Sequence, residues 1–161
     1  GFGSGCIMLS IIREKEDFTA TGVDISQDAY KVCKINAHNL GVINRVKLFN
    51  SDIDKFILGK YDLIISNPPY IRKHDLKYLE KDVAKFEPTL ALNGGFDGTS
   101  EIRKVIKKSS ELIKNGGKLI LEIAYNQKKE VKHLLRNNGF YINSIVKDLA
   151  KNDRCIISTK I

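Results

Sequence analysis

Strand-like and helix-like stretches alternate along this chain, and few folds accept that order. Residues 19–24 read as a short strand ending in an acid. Residues 27–40 follow with Ala29, Val32, Cys33, Ala37 and Leu40 on one helical stripe. Ser26 suits the N-cap and Gly41 the C-terminal stop. Arg45 to Asn50 predicts a second strand, and Tyr61 to Ser66 a third, apolar enough to be buried on both faces. Ile102, Val105, Ile106, Leu112 and Ile113 mark an amphipathic helix ended by Asn115-Gly116-Gly117. Lys118 to Glu122 predicts a fourth strand. Val131, Leu134 and Leu135 predict a helix stopped near Gly139. Residues 140–149 and 154–160 predict a closing antiparallel hairpin turned around Lys151-Asn152-Asp153. This order means an α/β chain, a doubly wound and mostly parallel sheet with helices on both faces. Ligands of such sheets sit at the carboxyl ends of the strands.

A glycine turn of the kind that opens this chain normally follows a strand. The sequence is therefore expected to begin just after the first strand of the sheet, as a piece of a longer protein. Loss of a central strand opens paired edges and uncovers apolar faces. The 161 residues made alone are expected to be unstable and nearly inactive. A thermal scan without a cooperative transition is the expected result. Cooperative melting together with tight cofactor binding would contradict it.

Length and composition suffice for one ordinary core, with 161 residues of which 42% are hydrophobic and 29% charged. No run approaches the roughly 18 apolar residues of a membrane span. Gly1 to Gly5 carries no basic region ahead of its apolar stretch and does not read as a signal peptide. Cys6, Cys33 and Cys155 are scattered and form no C-x-x-C, which suits reduced thiols. His38, His74 and His133 are equally dispersed, which argues against a zinc site. The net charge of +8 invites a nucleic-acid reading, but lysine outnumbers arginine 21 to 6. Biased codon usage produces that pattern without selection for phosphate binding. Lys107-Lys108 and Lys128-Lys129 are expected on solvated helix faces, with a patch for an RNA-rich partner as the alternative.

Gly1-Phe2-Gly3-Ser4-Gly5 runs into the apolar helix start Cys6-Ile7-Met8-Leu9. Such glycines let backbone pass close to a ligand, and the helix N-terminus offers free amides. Asp24 lies 19 residues after Gly5, at a strand end. A carboxylate there accepts both hydroxyls of a ribose. The turn is G-x-G-x-G, neither the dinucleotide G-x-G-x-x-G nor a P-loop. A ligand without phosphates, such as S-adenosylmethionine, suits it. Asp52 and Ile53 would then flank the adenine, with ordinary core the equal alternative for Ile53.

Ser66-Asn67-Pro68-Pro69-Tyr70-Ile71 is the most informative stretch. Two prolines fix φ and remove two donors, leaving the Asn67 side-chain oxygen and the Pro68 carbonyl as acceptors. Tyr70 adds a flat face. Rigid acceptors beside an aromatic suit a planar group carrying NH2. Such a nitrogen is a poor nucleophile because its lone pair is delocalised. Acceptors on its two N–H bonds aim it at an electrophile and stabilise the positive charge that develops.

The glycine turn, Asp24 and Asn67-Pro68-Pro69-Tyr70 together resemble the class I S-adenosylmethionine-dependent methyltransferases, with their Rossmann-like fold. Residues 86–98, Phe-Glu-Pro-Thr-Leu-Ala-Leu-Asn-Gly-Gly-Phe-Asp-Gly, are similar to a segment of the release-factor glutamine methyltransferases. So are Gly117 to Ile123 and Lys147 to Arg154. The resemblance spans Gly1 to about Ile157. It implies one catalytic domain over 1–161, without the family's N-terminal helical substrate-binding domain. It implies methyl transfer from S-adenosylmethionine to the side-chain nitrogen of the glutamine in the Gly-Gly-Gln loop of release factors, in the cytoplasm, by a monomer without membrane or nucleic acid. Gly1, Phe2, Gly3, Ser4, Gly5 and Asp24 would hold the methionine and ribose parts, Asp52 and Ile53 the adenine. Asn67, Pro68, Pro69 and Tyr70 would bind the amide, with Asn67, Pro68 and Tyr70 catalytic and Asn67 also near the cofactor. Phe2 replaces the family's usual Thr at a variable position. Alternatives are a glutamine of a ribosomal protein, an adenine or guanine amine in DNA or rRNA, and a non-catalytic module. Glu87 and Asp97 read as solvated loop carboxylates, with the lining of a peptide entrance as the alternative, Tyr125 and Tyr141 as packing rather than recognition residues, and Glu122 as either near the site or simply paired.

Overall fold

The computed structural model describes residues 1–78 and 88–161, so the expectations for Phe86 and Glu87 lie outside the described residues. The chain divides into two compact units, Gly1–Ile57 and Leu58–Ile161.

In the first unit the glycine turn leads into α1 (Cys6–Glu14). Strand β1 (Ala20–Asp24) follows, then α2 (Gln27–Asn39) and β2 (Val46–Asn50). β1 and β2 pair in parallel, from Ala20 opposite Val46 to Asp24 opposite Asn50. The expected cap is present, since Ala29 N–H donates to Ser26 Oγ (3.2 Å). The helix stops where Gly41 takes φ +68°. Leu9, Ile12, Cys33, Ala37, Val42 and Val46 form the core of this unit. Burial pushes the Cys33 thiol up, which keeps it protonated and inert.

In the second unit β3 (Tyr61–Ser66) is followed by a one-turn helix α3 (Thr89–Leu92) and by α4 (Ser100–Leu112). Then come β4 (Ile113–Glu122), α5 (Lys128–Asn137), β5 (Phe140–Lys147) and β6 (Asp153–Lys160). These strands form one sheet in the order β3-β4-β6-β5. β3 and β4 run parallel, while β6 pairs antiparallel with both β4 and β5. The α/β class, the parallel pairs and the terminal hairpin are as the alternation predicts. The core is aliphatic apart from Phe140, from Ile102 and Ile106 of α4 through Leu119, Leu121 and Ile123 to Val131, Leu135 and Ile156.

Some local expectations are revised. β4 starts five residues early, at Ile113, so Asn115-Gly116-Gly117 lies within the strand. The ladder to β3 is irregular there and becomes continuous from Leu63 opposite Lys118. Lys108 is buried on α4 and pairs with Glu111 (2.8 Å), instead of sitting on a solvated face. Tyr125 and Tyr141 are exposed. Asp97 stays solvent-accessible, yet it caps the start of α4. Thr99 N–H donates to its Oδ1 (2.9 Å) and Arg103 to its Oδ2 (3.1 Å). The Thr99 amide, above all, holds the Asp97 carboxyl down at about 2.

Candidate functional site

The first unit brings the glycine turn onto Asp24. Gly1 N donates to Val23 O (2.7 Å), and Gly5 N–H closes the turn on Phe2 O (2.8 Å). Gly5 has φ +84°, and a Cβ there would meet Cys33 Sγ at 2.5 Å. Only glycine fits that position. Over Gly1 and Gly3 the opposite holds, because a Cβ would meet nothing within 4 Å. The turn therefore has open backbone on one side and packed core on the other. Ser4 O accepts from the Asn36 amide (2.9 Å), and Phe2 lies against Gly22 of β1.

Asp24 is 8% exposed and sits at the carboxyl end of β1. Its Oδ2 accepts from Gly3 N–H (2.8 Å) and its Oδ1 from Ser26 N–H (2.9 Å). An ionised carboxylate offers about four acceptor positions. Two are filled here, so two are left for hydroxyls. The end of β2 is tied to the same place, since Ser51 N–H and the Asn50 amide both donate to Asp24 O (2.9 and 3.0 Å). Asp52 and Ile53 follow directly. Asp52 Oδ1 accepts from Asp54 N–H (3.0 Å) and so caps a single 3-10 turn. Ile53 is half-buried. The residues present fit a nucleoside with free ribose hydroxyls, on the spare lone pairs of Asp24 and the open backbone at Gly3.

The second unit places Asn67-Pro68-Pro69-Tyr70 at the carboxyl end of β3. Asn67 is exposed, Pro68 is buried, and Pro69 and Tyr70 are half-buried. Among the described residues no donor reaches the Asn67 side chain or the Pro68 carbonyl. The two acceptors thus have no partner among the described residues, while the backbone that carries them is held. Ile71 N–H donates to Leu92 O (3.0 Å), and Gly94 N–H to Ile71 O (2.8 Å). A Cβ on Gly94 would lie 2.8 Å from Tyr70 Cα, and one on Gly98 would lie 2.7 Å from Tyr70 O. The glycines of the 93–98 segment therefore let two backbones touch behind the turn.

Sequence reasoning missed the residue that joins these parts. Gln127 is buried just before α5. Its Nε2 donates to Gly98 O (2.9 Å) and Tyr70 O (3.4 Å), and its Oε1 accepts from Ala124 N–H (3.0 Å). One amide thus fastens the proline turn, the glycine segment and the end of β4. A lone glutamine between a strand and a helix carries no signal of this. Replacing Gln127 with Met should cost about 1–3 kcal/mol, because it buries unpartnered backbone groups. A lowered midpoint in urea unfolding, with an unchanged slope, is the expected reading.

Glu122, at the end of β4, also bears on Tyr70. Burial and then the Glu122 carboxylate push the Tyr70 phenol above its usual range, so it is neutral at pH 7. Arg154 acts on the same phenol. That guanidinium is fixed by Asp148 Oδ2 (3.0 Å) and Ile123 O (3.2 Å), which gives the Lys147–Arg154 segment a structural role.

The Methyltransferase small domain family matches residues 1–96. A curated release factor glutamine methyltransferase of Clostridium acetobutylicum is 39% identical over 98% of this chain and 56% of its own length. Another, from Fusobacterium nucleatum, is 39% identical over 99% of this chain and 46% of its own. The chain therefore spans about half the length of these curated relatives. Among solved structures, a ribosomal protein L11 methylase from Lactobacillus delbrueckii superposes with a TM-score of 0.73. It is 17% identical, over 99% of this chain and 67% of that one, so it shares the fold.

Proposed function

The chain belongs to the Methyltransferase small domain family, and from that premise we propose that it transfers a methyl group to the side-chain amide nitrogen of a glutamine in peptide-chain release factors. The observation that carries the reading is the pair of acceptors at Asn67 and Pro68, without a partner among the described residues, on a clamped turn. The curated relatives named for this substrate support it.

The proposed cofactor, S-adenosylmethionine, supplies an electrophilic methyl on a sulfonium when bound. The first unit's share is binding. Asp24 accepts the ribose hydroxyls, the open backbone from Gly1 to Gly5 receives the methionine part, and Asp52 and Ile53 flank the adenine. The second unit's share is the amide. Asn67 Oδ1 and Pro68 O accept its two N–H bonds, and Tyr70 and Pro69 form the wall against its plane. This aims the nitrogen lone pair and stabilises the charge that develops as the new N–C bond forms. No strong base is needed beforehand, since the nitrogen becomes acidic only as it is methylated. The neutral Tyr70 phenol contributes shape and not proton abstraction. A substrate of translation is met in the cytoplasm, which is the compartment this reading implies.

The test uses the intact protein carrying this chain, labelled S-adenosylmethionine, and separate samples of release factor, ribosomal protein and DNA. Label on the glutamine of a Gly-Gly-Gln tryptic peptide is the expected result. Label only on ribosomal protein or on a base overturns the substrate assignment.

A further inference from the structure

Helix α5 carries a basic face for which the methyl-transfer chemistry has no use. Lys128, Lys132, Arg136 and Lys129 fall within an arc of about 100° on a helix of 3.6 residues per turn. The stripe is about 12 Å long at 1.5 Å per residue. Val131 and Leu135 hold the helix to the core, so the basic face is turned outward. The stripe, with His133 and Tyr125, lines an open groove of about 560 Å³. Tyr125 is 65% exposed at one end of it. The one acid that lines the groove among the described residues, Asp153, pairs with Lys128 (2.9 Å). Among the described residues no carboxylate pairs with Lys129, Lys132 or Arg136. Glu130 is turned away and bonds to Arg103 and Thr99.

Gln127, whose side chain reaches Tyr70 O of the proposed amide-binding turn, is the residue before Lys128, so the helix that carries the basic face starts next to the group that clamps the turn. We propose that the basic face of α5 docks an acidic segment of the methyl-accepting protein, an inference that rests on the glutamine-methylation reading above. Three cations in a row, without a carboxylate partner among the described residues, select an acidic stretch, and Tyr125 in the groove wall provides an amphipathic contact. A single-stranded RNA is disfavoured, because such sites stack successive bases on several aromatics and this groove has one. The pairing steers association and sets affinity for the whole protein substrate. It leaves the chemical step alone.

The test reverses charge at K129E, K132E and R136E together, in the intact enzyme. Lys129 and Arg136 are exposed and Lys132 is half-buried, and the fold is checked by the thermal transition. KM for whole release factor should rise about tenfold or more with kcat unchanged, the signature of lost uniform binding. KM for a short Gly-Gly-Gln peptide should stay as it is. Direct binding of release factor, read by fluorescence anisotropy, should weaken in parallel and lose most of its salt dependence. If binding and KM change less than about twofold, the docking surface is wrong whatever the enzyme methylates. If wild type methylates no release factor, the function itself fails, and this proposal with it. Competition by a short oligouridylate at release-factor concentrations, lost in the triple variant, would assign the groove to nucleic acid instead.

Discussion

Replacing Asn67 with Ala should lower kcat by about 10²–10³-fold, the usual cost of one preorganised electrostatic partner in a reacting site. Cofactor affinity and thermal stability should scarcely move. The separation follows from the structure. Asn67 is exposed, and its side chain has no partner among the described residues. Its removal therefore leaves no buried group unsatisfied, and a stability change within about 0.5 kcal/mol is expected for such a position. Ala adopts the extended backbone required before a proline. What is lost is the acceptor that aligns an amide N–H, so the nitrogen lone pair wanders off the line of attack. Turnover with release factor, a titration with S-adenosylhomocysteine and a thermal scan decide the matter. Unimpaired turnover would remove Asn67 from the reaction and with it the glutamine assignment. Loss of melting cooperativity would mean that the residue is structural.

Asp24→Ala should act on the other half of the reaction. Its carboxylate already holds Gly3 N–H and Ser26 N–H, and so fixes the turn that would receive the cofactor. Two effects add. Charge-assisted hydrogen bonds to ribose hydroxyls are worth about 1.5–3 kcal/mol each, so with two of them lost affinity for S-adenosylhomocysteine should fall at least about 100-fold. Orphaning two amides under an 8% exposed side chain should also destabilise the unit, by about 1–3 kcal/mol. Asp24→Asn separates these effects. Its oxygen still serves one amide while its NH2 group opposes the other, and the charge is gone. Titration calorimetry of both variants is the measurement. Affinity unchanged within about threefold in Asp24→Ala would mean that the ribose is not held here.

Much of the fold was legible because the signals are local. The apolar stripe of residues 27–40 carries its own period, Ser26 and Gly41 mark its ends, and α2 has those bounds. Tyr61 to Ser66 reads as a strand from composition alone, and it is one, but it is half-buried with Asp62 exposed and not buried on both faces as its apolar run suggests. The start of β4 was misplaced for an equally local reason. Asn115-Gly116-Gly117 is turn chemistry, and Gly116 does take φ +80°, but the turn is a bulge inside β4, which pairs again at Lys118. Lys108 was misjudged because a lysine's periodicity does not reveal that Glu111, one turn on, covers its head group.

The candidate site divides along the same line. Asp24 and the Asn67–Tyr70 turn were readable because residue chemistry and position at a strand end coincide in each. Gln127 was not, since its bond to Tyr70 O joins residues 57 apart in the chain. Glycines 94 and 98 looked like part of a family segment with no stated purpose. Their purpose is to let one backbone approach another, which only coordinates reveal.

By itself the sequence determined which stretches are strands and helices, where acids and acceptors fall on strand ends, and which reaction those groups suit. These follow from side-chain period and backbone sterics over a few residues. Only the tertiary structure decided that one amide clamps the proline turn, that the Asp24 carboxylate spends half its acceptors on the protein itself, and that one helix carries three cations with no carboxylate partner among the described residues. Those depend on which distant groups meet and on which charges find no partner, and neither is encoded in any short window of the chain.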